Sequence, residues 1–317
     1  MFTKRQEAEI ITAIKGRGEV PLKYNYMTKR GANAWDRIAK VRQDSKVKGI
    51  NSIEGTLLSS KADAFLAPYK EFKKINIIDV GCGNSYPVFP LMDRLVKNKV
   101  TVRYVPVDIS EEMIKIATKN VKRGFPKVKI IPNVVDFELG HFSEVVYSLR
   151  KEGYVNFLLF LGSTVGNASN IPRVLTNFRD SMTSEDYLVV GAELINLAKV
   201  NKLLAHYILK DVSDLVFSVL DYYGVKKTNG KYEAKFNYDL NQVEMTFKFN
   251  KDTRFKIGEE KIFLEKDDEL VLAISVKFTD WSFTKLFSDV GFRIEIFTSS
   301  AEKGYALAMC QPSRFRY

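Results

Sequence analysis

Asp79-Val80-Gly81-Cys82-Gly83-Asn84-Ser85 ends a run of β-branched residues that starts at Ile75, and it leads into a helical pattern that begins at Val88. Two glycines so close to a strand end let the backbone turn tightly and approach a ligand that a side chain would exclude. A dinucleotide-binding loop carries a third glycine shortly afterwards, where this chain has Ser85-Tyr86-Pro87. The loop therefore predicts a nucleoside site in which no pyrophosphate sits on the helix.

Outward from this loop, short apolar runs alternate with helical patterns. The runs have the β-branched, aromatic and leucine-rich composition of strands that are buried on both faces. They are Ile75–Val80, Val100–Val107, Val128–Val135, Val155–Leu161 and Tyr187–Leu194. The helical candidates between them are Val88–Leu95, Ser110–Val121 with Ser110 as N-cap, Phe142–Leu149 and Asn170–Met182. This alternation predicts an α/β domain with a doubly wound, parallel sheet.

The alternation stops after Leu194. Helical patterns at 200–207 and 212–223, and a strand pattern at 242–249, lead into a β-rich segment that ends near Phe278. A helix and two strands at 279–310 then complete the sheet. We therefore predict a nucleotide-binding domain at 61–194 and 279–317, and a second, α+β cap domain at 1–60 and 195–278.

Acidic residues end three successive predicted strands. Asp79 ends the first strand, Asp108 the second, and Asp136 with Phe137 the third. Because open α/β sheets bind ligands at the carboxyl ends of their strands, we expect these side chains to converge on one crevice. Asp108 is suited to accept two ribose hydroxyl protons, and Asp136 and Phe137 to bind adenine, although Asp136 could also cap a helix. With the glycine loop, they predict a site for S-adenosylmethionine.

Composition limits the other classes of function. The 317 residues, of which 45% are apolar and 27% charged, can bury a full core. The apolar runs fall far short of the roughly 20 residues that cross a bilayer, and the N-terminus lacks a secretory pattern, so we expect a cytoplasmic protein without a membrane span. Two cysteines and two histidines leave little for a disulfide framework or a metal site.

The formal net charge of +11 raises the question of a nucleic-acid partner. The lysines are spread along the chain, often beside acidic residues as in 256–266, and form no arginine-rich arm or basic-aromatic array. A small-molecule acceptor is therefore favoured over RNA. A protein lysine, and a role as a binding protein without catalysis, also remain alternatives.

Phe160-Leu161-Gly162-Ser163-Thr164-Val165-Gly166-Asn167 follows the fourth predicted strand. This stretch resembles the Phe-Leu-Gly-Ser/Gly-Thr-Ile-Gly-Asn motif of the histidine-specific methyltransferase family, whose members act on amino-acid amines. The resemblance spans nearly the whole chain and also includes Pro21–Tyr26, Trp35–Ile38, Pro106–Ser110, Val135–Phe137, Val243–Met245 and Ile274–Phe278.

The resemblance implies a class I methyltransferase domain with a Rossmann-like sheet, and a substrate domain built from the N-terminal segment and a central insertion. It implies that S-adenosylmethionine is held by the glycine loop and the strand ends, namely Asp79, Gly81, Gly83, Asp108, Asp136, Phe137 and Gly162. It also implies that Tyr26, Asn167, Met245 and Ser275 bind the acceptor, with Asn167 and Tyr26 orienting its amine. The alternative for Asn167 is that it caps a helix near Ser169.

Three departures from the family pattern concern the acceptor and the cofactor. The family's Tyr-Tyr-Pro-Thr-Arg-x-Glu stretch corresponds here to Lys48–Glu54, so that a tyrosine is missing. A glutamate that the histidine enzyme carries two residues before the motif serine corresponds to Ala273, and a lysine after the glycine loop to Pro87. We therefore expect N-methylation of an amino acid or small amine that need not be histidine.

Overall fold

The structure is a computed structural model that describes residues 2–43, 50–139, 142–302 and 304–313. The chain forms two compact units. Ala39–Ile195 and Phe278–Tyr317 form the first, called the sheet unit, and Met1–Ile38 and Asn196–Lys277 form the second, called the insertion unit. Within the described residues, no helix combines the length and the apolar character that a bilayer span requires.

A mostly parallel sheet forms the centre of the sheet unit. Numbered along the whole chain, its strands are β1 (Lys74–Val80), β2 (Thr101–Asp108), β3 (Lys129–Ile130), β4 (Asn133–Val134), β5 (Val155–Phe160), β6 (Tyr187–Glu193), β12 (Phe292–Ser299) and β13 (Tyr305–Pro312). Their order is β12-β13-β6-β5-β1-β2-β3, with β4 also paired to β2. Strand β13 is antiparallel to β6 and β12. This order confirms the predicted class I methyltransferase sheet.

Apart from the first, the described helices of the sheet unit lie close to their predicted positions. They are α4 (Ile50–Leu66), α5 (Phe89–Lys97), α6 (Glu111–Gly124), α7 (Phe142–Leu149), α8 (Ile171–Ser181) and α12 (Asp280–Asp289), with 3-10 turns at Ala67–Tyr69, Tyr86–Val88, Lys151–Gly153 and Thr164–Asn167. Ser110 caps α6 as predicted, because its hydroxyl accepts the N–H of Met113 at 3.3 Å.

Helix α4 belongs to the sheet unit, whereas residues up to 60 were predicted to lie in the cap. Leu57, Leu58 and Phe65 are buried in the same core as Ile77 and Phe157 of the sheet. Burying each such side chain is worth roughly 1.5–3 kcal/mol, which fixes the helix to the sheet. The N-terminal segment of the insertion unit therefore ends at Ile38 rather than at residue 60.

The third predicted strand, Val128–Val135, is not continuous. Ile131 and Pro132 separate β3 from β4, because proline has no N–H to donate to a ladder. Both pieces still pair in parallel with β2, and Val134 lies opposite Asp108. Asp136 therefore follows β4 at the edge of the sheet where β2 ends.

The insertion unit combines helices with two small antiparallel sheets. Its helices are α1 (Lys4–Arg17), α2 (Leu22–Met27), α3 (Lys29–Gln43, which continues beyond Ile38), α9 (Val200–Tyr207), α10 (Lys210–Val216) and α11 (Ser218–Tyr222), with 3-10 turns at Leu197–Lys199 and Lys227–Asn229. Its strands are β7 (Gly230–Asn237), β8 (Gln242–Phe249), β9 (Thr253–Ile257), β10 (Glu260–Leu264) and β11 (Glu269–Val276). The sheets are β11-β8-β7 and β10-β9. Val20 donates to the carbonyl of Val271 at 2.8 Å, which joins the N-terminal segment to β11.

The helix predicted at Val212–Tyr223 is interrupted at Phe217, between α10 and α11. Asn25 of α2 is fully buried and explains the interruption. Its Oδ1 accepts the N–H of Val219 at 3.0 Å, so this N–H is taken from the helical ladder by a side chain. The hydroxyl of Ser218 also donates to Asn25 Oδ1. The prediction of one continuous helix was therefore wrong.

Candidate active site

The glycine loop after β1 has the backbone conformation that its sequence requires. Gly81 and Gly83 have φ angles of 65° and 49°, in the left-handed region that favours glycine. The N–H of Gly81 donates to the carbonyl of Val107 at 2.8 Å and ties the loop to the end of β2. A Cβ atom at Gly81 would lie 3.1 Å from Cγ2 of Thr164. Glycine therefore lets the loop pack against the turn that follows β5.

Asp108 is a buried carboxyl at the end of β2. It accepts the N–H of Ser110 at 2.9 Å, and the N–H groups of Gly83 and Ile109 also donate to it. Burial raises the pKa of Asp108 to about 7, although these donors act to lower it. A ligand that supplies further hydroxyl donors would favour the carboxylate form.

Glu54 and Asp79 join Asp108 in what we call the carboxyl cluster. Burial raises the pKa of Asp79 to about 8, against a hydrogen bond of 2.6 Å from the hydroxyl of Tyr104. The negative charges of Glu54 and Asp108 add to that rise. Burial likewise raises the pKa of Glu54 to about 7, against hydrogen bonds from Tyr305 and Gly162. The cluster therefore suits a ligand that brings positive charge and hydrogen-bond donors.

Asp136 and Phe137 follow β4 in a tight turn. Oδ1 of Asp136 accepts the N–H of Glu138 at 3.1 Å, and α7 begins only at Phe142, so Asp136 does not cap that helix. The ring of Phe137 lies edge-to-face on Phe160 at 5.5 Å and also contacts Phe178 of α8. Both residues are partly exposed. The assignment of this pair to adenine stays a prediction.

The motif turn, Gly162–Asn167, is held in a specific backbone conformation. Ser163 has a φ of 59°, a left-handed conformation that costs a non-glycine residue roughly 1–3 kcal/mol. The hydroxyl of Thr164 donates to the carbonyl of Leu161 at 2.7 Å, and the N–H of Gly166 donates to that of Ser163 at 3.0 Å. These bonds make the turn short and rigid.

Asn167 ends the motif turn and is partly exposed. The N-cap of α8 is Asn170, whose Oδ1 accepts the N–H of Arg173 at 3.0 Å. Asn167 therefore does not cap the helix, and that alternative for its role is wrong. Its role in the site stays a prediction.

Three of the acceptor residues implied by the resemblance lie in the insertion unit. Tyr26 of α2 packs edge-to-face on Trp35 at 5.9 Å. Met245 of β8 lies opposite Ala273 of β11, and both side chains are buried. Ser275 lies two residues further along β11, on the same face of the sheet as Ala273 and Met245. Three of the four acceptor residues are thus on described elements of this unit, while Asn167 is in the sheet unit.

Two residues beside Ser275 were missed in the sequence. Lys277 is only 2% exposed, and its ammonium donates to the hydroxyls of Tyr207 at 2.6 Å and Ser275 at 2.9 Å. The hydroxyl of Tyr207 also donates to Ser275 at 3.3 Å. Alternation along β11 would place Lys277 on the face of Ser275 and so provides the signal that could have found it.

Glu54 was also missed, because it closes the stretch that departs from the family pattern. Lys48 and Gly49 of that stretch lie outside the described residues. Glu54 precedes Leu57 and Leu58 by three and four residues and so shares their buried helical face. That spacing is a signal for a buried carboxyl.

Two buried polar atoms indicate that this region fits a polar ligand. Nδ2 of Asn84 in the glycine loop and Oγ of Ser163 in the motif turn have no hydrogen-bond partner among the described residues. Buried polar groups are nearly always paired, so such atoms mark places for a ligand or water. Together with the carboxyl cluster, they fit S-adenosylmethionine, which brings ribose hydroxyls and a positive sulfonium.

The carboxyl cluster predicts a pH dependence of stability. The raised pKa values mean that the folded protein without cofactor holds protons that the unfolded chain, with carboxyl pKa values near 4, has lost. This contribution to the free energy of unfolding is fully present below about pH 4 and is lost as the pH rises through about 7 to 8. We expect the melting temperature of the cofactor-free protein to fall from pH 6 to 8.5. A flat profile would contradict this assignment.

Cofactor binding is expected to release protons from the same cluster. At pH 6.5 the α-amino group of S-adenosylmethionine stays protonated, so released protons would come from the protein. We expect on the order of one proton per site, because hydroxyl donors and positive charge favour the carboxylates. Calorimetry in two buffers of different ionisation enthalpy measures this number. Asp108→Asn should reduce it, and an equal release from wild type and variant would contradict the prediction.

The chain is similar to several methyltransferases. The histidine N-alpha-methyltransferase of Mycolicibacterium smegmatis is 23% identical over 241 residues, which cover 68% of this chain and 69% of that protein. The magnesium protoporphyrin IX methyltransferase of Synechocystis PCC 6803 shares 13% identity over 91% of this chain and 97% of that chain, with a TM-score of 0.48. A methyltransferase from Clostridium acetobutylicum ATCC 824 shares 9% identity over 89% and 100% of the two chains, with a TM-score of 0.46.

These TM-scores are too low to assign the fold. The fold is therefore assigned from the strand order of this chain. The sequence matches the family described as histidine-specific methyltransferase, SAM-dependent, over residues 7–312. The match includes the glycine loop, the strand-end carboxyls and the motif turn. The chain therefore belongs to this family and is an S-adenosylmethionine-dependent methyltransferase.

Proposed function

We propose that this enzyme methylates the amino nitrogen of an amino acid or another small amine. The observation that carries the proposal is the close packing of the motif turn on the glycine loop, where a Cβ atom at Gly81 would approach Thr164 to 3.1 Å. An amide on that turn, Asn167, is thereby held near the loop assigned to the cofactor. The relative from M. smegmatis, whose name specifies an amino-acid nitrogen as acceptor, supports the same class of substrate.

Each group of residues has a separate task in this proposal. When bound, S-adenosylmethionine supplies a methyl group on a positively charged sulfur. Asp108 holds the ribose, and Asp79, Gly81, Gly83 and Gly162 shape the rest of the cofactor site. In the sheet unit, Asn167 orients the uncharged amine. The roles of Tyr26, Met245 and Ser275 in the insertion unit stay those that the resemblance implies. The protein accelerates transfer mainly by positioning the two reactants and excluding water.

Histidine is not expected to be the best acceptor. Ala273 and Met245 lie opposite each other on the buried face of the β11-β8-β7 sheet, and neither side chain can accept a hydrogen bond from an imidazole N–H as a carboxylate does. A site built to hydrogen-bond a polar group of the substrate strongly rejects analogues that lack this group. An apolar site gains no binding energy from the same group. The proposed acceptor therefore has an apolar side chain.

A methyl-transfer screen over amino acids and small amines tests this proposal. We expect mass spectrometry to detect a product 14 Da heavier with an apolar or aromatic amino acid, and at least about tenfold lower kcat/KM for histidine. RNA and a lysine-containing protein serve as the comparison acceptors in the same assay. Methylation of RNA but of no small amine would refute the proposal, and histidine as the best acceptor would refute the assignment of Ala273.

The proposed substrate and cellular location agree with each other. Cys82 and Cys310 are unpaired, buried thiols, and burial raises the pKa of both. Unpaired thiols are usual in a reducing compartment. We therefore place the enzyme in the cytoplasm, where free amino acids and S-adenosylmethionine are both present.

A further inference from the structure

Helix α4 carries a buried carboxylate that bonds to the motif turn. Oε1 of Glu54 accepts the N–H of Gly162 at 2.8 Å and also accepts a hydrogen bond from the hydroxyl of Tyr305 on β13. The oxygen of that hydroxyl accepts the N–H of Ser163 at 3.3 Å. Two successive backbone amides of the turn are thus held by one side chain from α4 and one from β13.

A glycine on a neighbouring strand leaves space for Glu54 and Tyr305. Glu54 and Tyr305 are both fully buried. Gly191 lies on β6 beside them, and a methyl group at that position would overlap the hydroxyl of Tyr305 and the carboxylate of Glu54. A glycine in the middle of a buried strand weakens the strand, so its presence here indicates that the space is needed.

Hydrogen bonds within the motif turn couple the conformation of its first residues to that of its last residues. Ser163 adopts a left-handed conformation that a serine rarely takes without support, and its N–H is one of the two that are held. The bond from the N–H of Gly166 to the carbonyl of Ser163 links this support to the residue before Asn167. A rotation at Ser163 would therefore displace the amide of Asn167.

We propose that Glu54 and Tyr305 are positioning residues for methyl transfer, because they set the orientation of the turn that presents Asn167 to the acceptor. This inference rests on the proposed function for the role of Asn167. Neither residue needs to contact the acceptor. Their effect is on the geometry of the reacting pair, to which transfer rates are sensitive.

The test compares two buried tyrosines of the sheet unit. Tyr305→Phe removes the hydroxyl beside Glu54, and Tyr69→Phe removes one that donates to the carbonyl of Asn156 at 2.8 Å and accepts the N–H of Tyr187 at 3.1 Å. Asn156 and Tyr187 lie at the amino ends of β5 and β6, far along the strands from the motif turn. Both variants should melt at similarly lowered temperatures. Only Tyr305→Phe should lower kcat, by about ten- to a hundredfold, with the cofactor Kd changed less than about threefold.

Two substitutions of Glu54 test whether its hydrogen bonds to the motif turn support turnover. Glu54→Gln keeps an oxygen that can accept from both Gly162 and Tyr305, so it should retain at least about tenfold more of the wild-type kcat than Glu54→Leu. Glu54→Leu removes both bonds and should lose as much activity as Tyr305→Phe. Equal losses for Gln and Leu would overturn the inference, as would a kcat of Tyr305→Phe no lower than that of Tyr69→Phe.

Two further measurements separate this inference from the proposed function. In an Asn167→Ala background, Tyr305→Phe should have little additional effect on kcat, because the group that it positions is gone; full additivity would overturn the inference. Amide hydrogen exchange at Ser163 should be at least about tenfold faster in Tyr305→Phe than in Tyr69→Phe. An unchanged exchange rate overturns the inference even before an acceptor is found, whereas a wild-type enzyme that methylates no amine refutes only the proposed function.

Discussion

Replacing Asp108 by asparagine is expected to weaken the binding of S-adenosylmethionine by about a hundredfold or more. The ribose hydroxyls would lose a charged acceptor for two hydrogen bonds, and each hydrogen bond to a charged group is worth about 1.5–3 kcal/mol. About 1.4 kcal/mol corresponds to a tenfold change in affinity, so even partial loss of both bonds gives this effect. Calorimetric titration with the cofactor and with its demethylated product measures the change.

The fold of Asp108→Asn should persist. Burial already raises the pKa of Asp108 to about 7, so the free protein gains little from its charge, and the melting temperature should shift by only a few degrees. Asp93→Asn on α5 is the matched control, because Asp93 is exposed and forms an ion pair with Lys97 four residues on. An affinity of Asp108→Asn within threefold of that control would refute the assignment of the ribose site.

Replacing Asn167 by alanine should lower turnover by about a hundredfold and leave cofactor affinity nearly unchanged. The amide is expected to orient the acceptor amine, and loss of one positioned hydrogen-bonding group costs about that much in the transition state. Single-turnover kinetics with a saturating acceptor measures the chemical step. The cofactor Kd, measured by titration, should stay within about threefold of wild type.

Asn170→Ala is the matched control for Asn167→Ala. Asn170 caps α8 only three residues further along, and loss of an N-cap costs roughly 1 kcal/mol of stability. That variant should melt earlier and keep its turnover. If Asn167→Ala loses cofactor affinity and rate to the same extent, Asn167 belongs to the cofactor site and not to the acceptor site.

The parts of the site that could be predicted from sequence are those built by local pattern. Asp79 and Asp108 each follow a run of buried, mostly apolar residues, and the sheet itself brings Asp79, Asp108 and Asp136 to one edge. The glycines at 81 and 83 are required by the local turn. Such features depend on neighbours along the chain or on the rule that parallel strands end together.

The parts that could not be predicted depend on distant partners. The contact between Glu54 and Tyr305 joins residues 251 apart in sequence, and nothing near either residue indicates the other. The break between α10 and α11 comes from Asn25, a side chain 194 residues away from the N–H that it accepts. The periodicity at 212–223 correctly predicted helical structure. It could not show where a hydrogen bond from a distant side chain interrupts the backbone hydrogen bonds of the helix.

The long separation between Asn25 and Val219 also affects how the protein is made. Synthesis proceeds from the N-terminus, so α1 and α2 leave the ribosome with their buried faces exposed until the partners 194 residues later emerge. Closing so long a loop is slow, and the exposed apolar surface invites aggregation while it lasts. We therefore expect substitutions at Asn25 to lower the yield of soluble enzyme, and to lower it less at reduced expression temperature, while the molecules that do fold retain their catalytic rate.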